Sequence, residues 1–181
     1  MNDTQSDEKE LIGARVARVD GRDKVTGKAQ YPADLSLPGM LCGRVLRSPH
    51  PHARIRSIDL SSARDMPGVI TAVCGDDIPQ PGLYGLITAD QLPLARTGGK
   101  VRYVGDAVAA VAAETPQIAE AALASIRVEY EPLPVVADMR AALASDAPLV
   151  HEHRPGNILH AVQLLHGDLE AGFAAADVVI E

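Results

Sequence analysis

Aromatic side chains are scarce in this sequence. There is no Trp, one Phe and four Tyr among 181 residues, so a core has to be built from Ala, Val, Leu and Ile. Proteins that hold single-stranded nucleic acid stack its bases on exposed rings, and this chain has few rings to offer. The formal charge of −7 also repels a phosphate backbone. Composition therefore argues against a nucleic-acid partner.

Cysteines and long apolar runs are scarce as well. The two cysteines, Cys42 and Cys74, cannot supply the four thiolate ligands of an iron–sulfur cluster, and we expect both to pack as small apolar side chains. No apolar run reaches the roughly 18 residues that a membrane helix needs. The first ten residues are polar and acidic, unlike a signal peptide. The sequence therefore predicts a cytoplasmic protein without a membrane span.

The order of apolar and turn-forming residues predicts an α+β domain. An extended arm with short strands is expected at 12–34, and a long loop at 75–100. Strands are expected at 40–47, 53–60 and 69–74, the last of them buried, with one helical turn at 61–66 capped by Ser61 or Ser62.

The clearest pattern lies at 101–130. Residues 101–103 and 107–112 have strand character, and Thr115 with Pro116 supplies an N-cap and a first-turn proline for a helix. Residues 125–130 then return to β propensity. Strand, capped helix and strand form a β-α-β unit, which we expect at the buried centre of a mixed sheet.

The remaining residues predict two further short helices, at 139–144 and 169–176, the second capped by Asp168. A strand is expected to begin at 177–181. Since the sequence stops within that pattern, we expect a continuation after Glu181.

Histidines form two candidate metal-binding groups. His50 and His52 share one side of an extended segment, but two ligands are too few without a third, and the neighbouring prolines explain the loop without a metal. The second group is spaced as a loop and consists of His151, His153 and His160 with Glu152. We predict that neither group binds a metal.

Other motifs also lack a complete chemical context. A phosphate-binding loop needs four residues between its glycines, whereas five separate Gly21 from Gly27. Asp76 and Asp77 lie in a turn, where carboxylates usually cap or stay solvated. Ser48, Ser61 and Ser62 lie outside any nucleophile elbow. We therefore assign no catalytic, cofactor-binding or metal-binding residue.

Five blocks in a fixed order resemble the large, molybdenum-binding component of the xanthine dehydrogenase and aldehyde oxidase family. They are residues 18–34 (RVDGRDKVTGKAQYPAD), 47–55 (RSPHPHARI), 67–69 with 75–79 (PGV and GDDIP), 101–114 (VRYVGDAVAAVAAE) and 128–135 (VEYEPLPV). The pattern is most similar to bacterial members that act on aromatic compounds, such as 4-hydroxybenzoyl-CoA reductases. Gly156-Asn157 and Gly167-Asp168 resemble the family's linker into its first molybdopterin-binding domain.

The resemblance implies an α/β hammerhead fold with three parts. Residues 1–11 would be a disordered tail, residues 12–140 the hammerhead domain, and residues 141–181 a linker and the start of the molybdopterin-binding domain. The family's catalytic glutamate and cofactor loops lie beyond the matched region.

The implied function is that of a structural and assembly portion of a molybdenum-dependent oxidoreductase for aromatic or heteroaromatic substrates, inactive alone. Molybdopterin with molybdenum, [2Fe-2S] and FAD would be held by partners: a molybdopterin-binding continuation or subunit, an iron–sulfur subunit and an FAD subunit. The alternative is a free-standing hammerhead module that binds other proteins and has no enzyme activity.

Overall fold

The computed structural model describes residue 13 and residues 15–79 and 82–180. The chain divides into two compact units, Met1–Met40 and Leu41–Glu181. The tail expected at 1–11 lies outside the described residues. Among the helices of the described ranges, none is long and apolar enough to cross a membrane.

In the first unit, the expected arm with short strands is wrong. The described residues form helix α1, Gly21–Val25, and a 3-10 turn, Pro32–Asp34, and no strand is found between residues 15 and 40. Local bonds explain the helix, because Lys24 pairs with Asp20 one turn earlier and the Thr26 hydroxyl donates to the Arg22 carbonyl at 2.8 Å. A helix makes such bonds within its own segment, whereas a strand needs a second strand to bond its backbone groups.

The second unit contains two three-stranded sheets. Its strands are β1, Cys42–Arg47; β2, Ala53–Asp59; β3, Val69–Cys74; β4, Lys100–Val101; β5, Ala107–Ala113; and β6, Arg127–Pro132. The helices are α2, Ser61–Arg64; α3, Pro116–Ser125; α4, Met139–Ala142; and α5, Leu169–Ala174. The strand orders are β1-β5-β3 and β4-β2-β6.

The α+β class is confirmed, but the sheets differ in detail from the prediction. Every described strand pair is antiparallel, so neither sheet is mixed. The order β5, α3, β6 exists as expected, but β5 and β6 lie in different sheets. The reason is that β1 and β3 already occupy both edges of β5, so β6 pairs with β2 instead.

The first core lies between the β1-β5-β3 sheet and helix α3. Ala109, Val111 and Ala113 alternate on one face of β5, and Ala119 and Ala122 meet them from the helix. Small side chains on both elements let helix and strand approach closely. Thr115 caps the helix as predicted, since its hydroxyl oxygen accepts from the Ile118 amide at 3.2 Å.

The second core is built around the other sheet. Val108 projects from the opposite face of β5, because neighbouring residues of a strand point to opposite sides. It packs with Ala53 and Ile55 of β2 and with Val101 of β4. β5 is thus buried on both faces, which explains why all of its residues are Ala or Val.

Three smaller expectations need correction. Neither serine caps α2; the Asp59 carboxylate accepts from the Ser61 amide instead, at 2.9 Å. β3 is only half buried, since it is an edge strand whose Ile70 is 57% exposed. The strand expected at 177–181 is absent from residues 177–180, because no described strand pairs with them. Glu181 lies outside the described residues.

Burial of β5 gives the first testable prediction. Val108→Asp and Val111→Asp each place a carboxylate where the native side chain is at most 2% exposed. We expect each to lower the free energy of unfolding by about 4 kcal/mol, the cost class of an unpaired buried charge.

Thermal or urea melts monitored by circular dichroism measure this loss. Val104→Asp is the matched control, because Val104 is 64% exposed and should change stability by less than about 0.5 kcal/mol. If the two β5 variants melt like the control, β5 is not the strand shared by the two cores.

Candidate functional site

The first histidine pair lies where the chain passes from one sheet to the other. His52 is buried, and its Nδ1 lies 2.7 Å from the Pro134 carbonyl oxygen beyond β6. His50 instead packs its ring against Tyr130, with centroids 4.8 Å apart. The two imidazoles thus take up separate packing contacts between β2 and β6.

Ser48 precedes this pair and is 2% exposed. Its hydroxyl bonds to both backbone groups of His50, donating to the carbonyl and accepting from the amide at 3.0 Å each. Its backbone amide donates to the Asp106 carbonyl at 2.8 Å, and its carbonyl accepts from the Gly105 amide at 2.8 Å. The residues of this motif therefore hold a chain crossing in place.

The cysteines and the acidic pair also have structural contacts. Cys74 is buried and Cys42 is half buried, and both are free thiols. Burial, the largest contribution, raises the pKa of the Cys74 thiol, so it stays protonated. Asp77 accepts from the Cys74 amide at 2.9 Å and from the Arg64 guanidinium at 2.9 Å. Asp76 lies 4.0 Å from the Cys74 sulfur.

His151, Glu152 and His153 of the second histidine group lie in a loop, 149–157, that is bound to strand β4 and the residues after it. Lys100 donates from its Nζ to the Leu149 carbonyl at 3.1 Å, and Arg102 donates from its Nε to the Val150 carbonyl at 3.1 Å. Glu152 pairs with Lys100 at 2.9 Å and with Arg102 at 3.7 Å. We call this set of contacts the clasp.

The ion pair of the clasp joins a buried cation to an exposed carboxylate. Burial by itself raises the pKa of Glu152, but the hydrogen bond to Lys100 and the charges of Lys100 and Arg102 outweigh it, so the pKa lies below its usual value. The Lys100 side chain is only 7% exposed, whereas that of Glu152 is 60% exposed. The carboxylate therefore reaches in from the surface to a buried ammonium group.

Asn157 closes the clasp at its far end. It is the one non-glycine residue of the described chain with a positive φ, 57°, a conformation that Asn tolerates better than most residues. Its Oδ1 accepts from the Val150 amide at 2.9 Å, and its Nδ2 donates to the carbonyls of Ala142 and Pro148 at 3.0 and 3.1 Å. One side chain thereby ties the loop to α4.

Three groups that could ligate a metal converge beside the clasp. One nitrogen from each of His151 and His153 and one carboxylate oxygen of Asp90 all lie within 4.8 Å of one another. The Arg154 guanidinium donates to Asp90 Oδ2 at 3.2 Å, and His153 Nε2 lies 3.5 Å from the same oxygen. We call Asp90, His151 and His153 the three-residue cluster.

The surroundings of the cluster fix its electrostatics. Burial first, and then the charge of Arg102, hold the pKa of His151 below its usual value, so this imidazole is neutral near pH 7. Burial raises the pKa of Asp90, but the hydrogen bonds from Arg154 and His153 outweigh it and the pKa is lowered. Two cavities, of about 210 and 350 Å³, adjoin both Asp90 and His151.

The structure combines only part of what the sequence grouped. His151 and His153 come together, while Glu152 turns to the clasp and His160 lies in an irregular exposed segment. Asp90 was missed because it comes from the long loop, far away in sequence. A weak signal existed, since that acidic residue interrupts a stretch of Gly, Pro and Leu.

Comparison with known proteins assigns the fold. Residues 26–134 match the family described as "Aldehyde oxidase and xanthine dehydrogenase, a/b hammerhead domain". The chain belongs to this family. It is 50% identical to a probable xanthine dehydrogenase component of Bacillus subtilis over 91% of its own length, and 41% identical to the "Nicotinate dehydrogenase large molybdopterin subunit" of Eubacterium barkeri over 95%.

Solved structures agree with that assignment. Quinoline 2-oxidoreductase from Pseudomonas putida 86 superposes on 91% of the chain with a TM-score of 0.74 and 38% identity. The hammerhead chain covers 22% of that protein, 22% of the Bacillus subtilis relative and 40% of the Eubacterium barkeri relative. It thus corresponds to a limited part of each.

The smaller cavity beside the three-residue cluster does not suit the family's molybdopterin. The cavity of about 210 Å³ is lined by Lys100 and Arg102, but both cations already bind Glu152 and backbone carbonyls. Asp90 and Asp106 line the same cavity, and carboxylates repel a phosphorylated pterin. These residues therefore do not fit that cofactor.

The clasp gives the second testable prediction. Asn157→Ala removes three hydrogen bonds, so we expect the Val150 amide to exchange with solvent roughly 30-fold faster, equivalent to about 2 kcal/mol of local opening free energy. Amides of β5 should keep their protection. Hydrogen–deuterium exchange with mass spectrometry or NMR measures both, with His160→Ala as the nearby control. Unchanged exchange at Val150 would show that Asn157 does not hold the loop.

Proposed function

We propose that this chain is the structural and assembly portion of a molybdenum-dependent hydroxylase or dehydrogenase of the xanthine dehydrogenase and aldehyde oxidase family. The observation that carries the proposal is the match of nearly the whole chain to components of such enzymes, at up to 50% identity. The side chains of its most recognisable motif support it, because Ser48 and His52 bind backbone groups and so hold the chain in place.

The cofactors and partners of the proposal come from the rest of the enzyme. A relative bears the name "large molybdopterin subunit", and another belongs to a "dehydrogenase complex". We infer that molybdopterin with molybdenum, [2Fe-2S] and FAD are held by a molybdopterin-binding continuation or subunit, an iron–sulfur subunit and an FAD subunit. The hammerhead chain would contribute shape and contacts and no reacting group.

Large apolar side chains become exposed from residue 158 onward, which suggests where those contacts lie. The clasp and Asn157 bind residues 149–157 to the hammerhead domain, so we propose that the linker expected from residue 141 leaves this domain only after Asn157. The following segment, 158–180, exposes many large apolar side chains. They are Ile158, Leu159, Val162, Leu164, Leu165, Leu169, Phe173, Val178, Val179 and Ile180. We infer that this segment packs into the molybdopterin-binding domain.

The substrate class is part of the same proposal. Two of the similar proteins are named for nicotinate and quinoline, which are heteroaromatic, while another is a "Carbon monoxide dehydrogenase large chain" from Afipia carboxidovorans. Since the hammerhead is common to all of them, it does not select the substrate itself. We propose an aromatic or heteroaromatic substrate for the assembled enzyme.

Reconstitution tests the proposal and is the third prediction. The chain is co-expressed with a molybdopterin-binding polypeptide and an iron–sulfur subunit of the family, and nicotinate and quinoline turnover is followed with a dye acceptor. We expect no turnover from the chain alone, a complex stable to size exclusion, and turnover from the complex. Turnover by the chain alone would overturn the assembly role.

Matched variants locate the contact. Leu165→Asp with Phe173→Asp should abolish association, because both side chains are more than half exposed in the 158–180 segment. Leu86→Asp is the control, as Leu86 is fully exposed outside that segment. Folding of each variant is checked by its melt. Failure of the wild-type chain to associate would instead support the free-standing interaction module.

A further inference from the structure

We propose that Asp90, His151 and His153 form a binding site for one divalent transition-metal ion of the zinc type. This site is independent of the proposed assembly role and of any molybdenum chemistry. It would join the long loop after β3 to the loop held by the clasp. The sequence led us to expect no metal, since it grouped the histidines with Glu152 and His160 instead.

Geometry is the first support. The three ligand atoms lie within 4.8 Å of one another, close enough for small side-chain rotations to bring all three within about 2 Å of a central ion. The ligands come from two loops, which can adjust more readily than strands. Two cavities adjoin Asp90 and His151 and leave room for water to complete the coordination.

An unsatisfied atom is the second support. His151 Nδ1 is buried, and no hydrogen-bond partner is found for it among the described residues. A buried polar atom without a partner costs free energy. A metal ion bound to the imidazole would give its nitrogen a partner and would order the ring. His151 also lines both cavities, together with Asp90.

The Asp90 carboxylate is placed to contact Arg154 and a metal ion at the same time. Both described contacts to its carboxylate, from Arg154 and His153, use Oδ2. These two contacts leave Oδ1 to face an ion, while Arg154 orients the group as partners of metal-bound carboxylates do. Binding would move His153 from the carboxylate to the metal. His153 can move, because its side chain is 55% exposed.

The ligand set selects the class of ion. Two imidazoles and one carboxylate suit Zn²⁺ and its neighbours, whereas Mg²⁺ and Ca²⁺ prefer oxygen ligands. Local charge limits the affinity. Arg154, Lys100 and Arg102 lie nearby, and Asp90 and Glu152 offset only part of their charge. We therefore expect binding weaker than at a four-ligand structural zinc site.

The test uses the 181-residue chain after treatment with a chelator. Co²⁺ is titrated as the probe, and its visible absorption and isothermal calorimetry give geometry and stoichiometry. We expect one Co²⁺ per chain, displacement by Zn²⁺, no displacement by Mg²⁺, and a melting temperature that rises with Zn²⁺. Absence of stoichiometric binding overturns the proposal.

Variants assign the ligands. His153→Asn should weaken Co²⁺ binding at least about 10-fold, since even loss of an outer-shell partner costs that much. Asp90→Asn should do the same, but it also breaks the ion pair with Arg154. If Asp90→Asn fails to fold, the result for His153→Asn decides, because His153 is exposed. His160→Asn and His166→Asn are controls, as both histidines are exposed outside the cluster. If either control weakens binding as much as His153→Asn, the site lies elsewhere and the proposal is wrong.

Discussion

The chain crosses between the two sheets at two places that are hydrogen-bonded to each other, and we call this contact the joint. The rest of the second unit depends on it. The chain passes from β1 to β2 at Ser48 and returns from β4 to β5 at Gly105-Asp106. Neither sheet ladder can satisfy the backbone groups of these crossings, so they satisfy each other, with two bonds of 2.8 Å. Arg47 adds a third bond, donating to the Gly105 carbonyl at 2.8 Å. This joint adds polar bonds to the apolar contacts that the sheets share.

The central position of β5 explains why a sequence so poor in aromatics can build two cores. Large rings usually fill the space between layers, but here β5 lies in the middle and presents Val111 to one core and Val108 to the other. Small side chains then suffice, because backbone elements come close on both faces. Gly75 shows how close: a Cβ at this position would lie 2.5 Å from the carbonyl oxygens of Leu94 and Ala95.

The features that could be predicted from the sequence are those with local causes. Helix α3 followed from Thr115 and Pro116, which act within one turn, and strand β2 followed from the alternation of apolar and polar residues at 53–60. Strand partners depend on residues far apart in sequence, so the expectation of one mixed sheet that contains both β5 and β6 was wrong. The three-residue cluster was missed for the same reason, because Asp90 meets His151 and His153 only after the long loop folds back.

The clasp shows how weak interactions can still fix the last part of the hammerhead. Ion pairs with an exposed partner such as Glu152 contribute little by themselves. Opening the clasp, however, would leave the ammonium of Lys100 buried beside Val101 without its carboxylate and without the Leu149 carbonyl. Uncompensated buried charge is costly, so the loop is held less by the strength of its bonds than by the cost of their loss. The direction of the chain at Asn157, where its backbone turns with positive φ, is thereby set before the apolar segment begins.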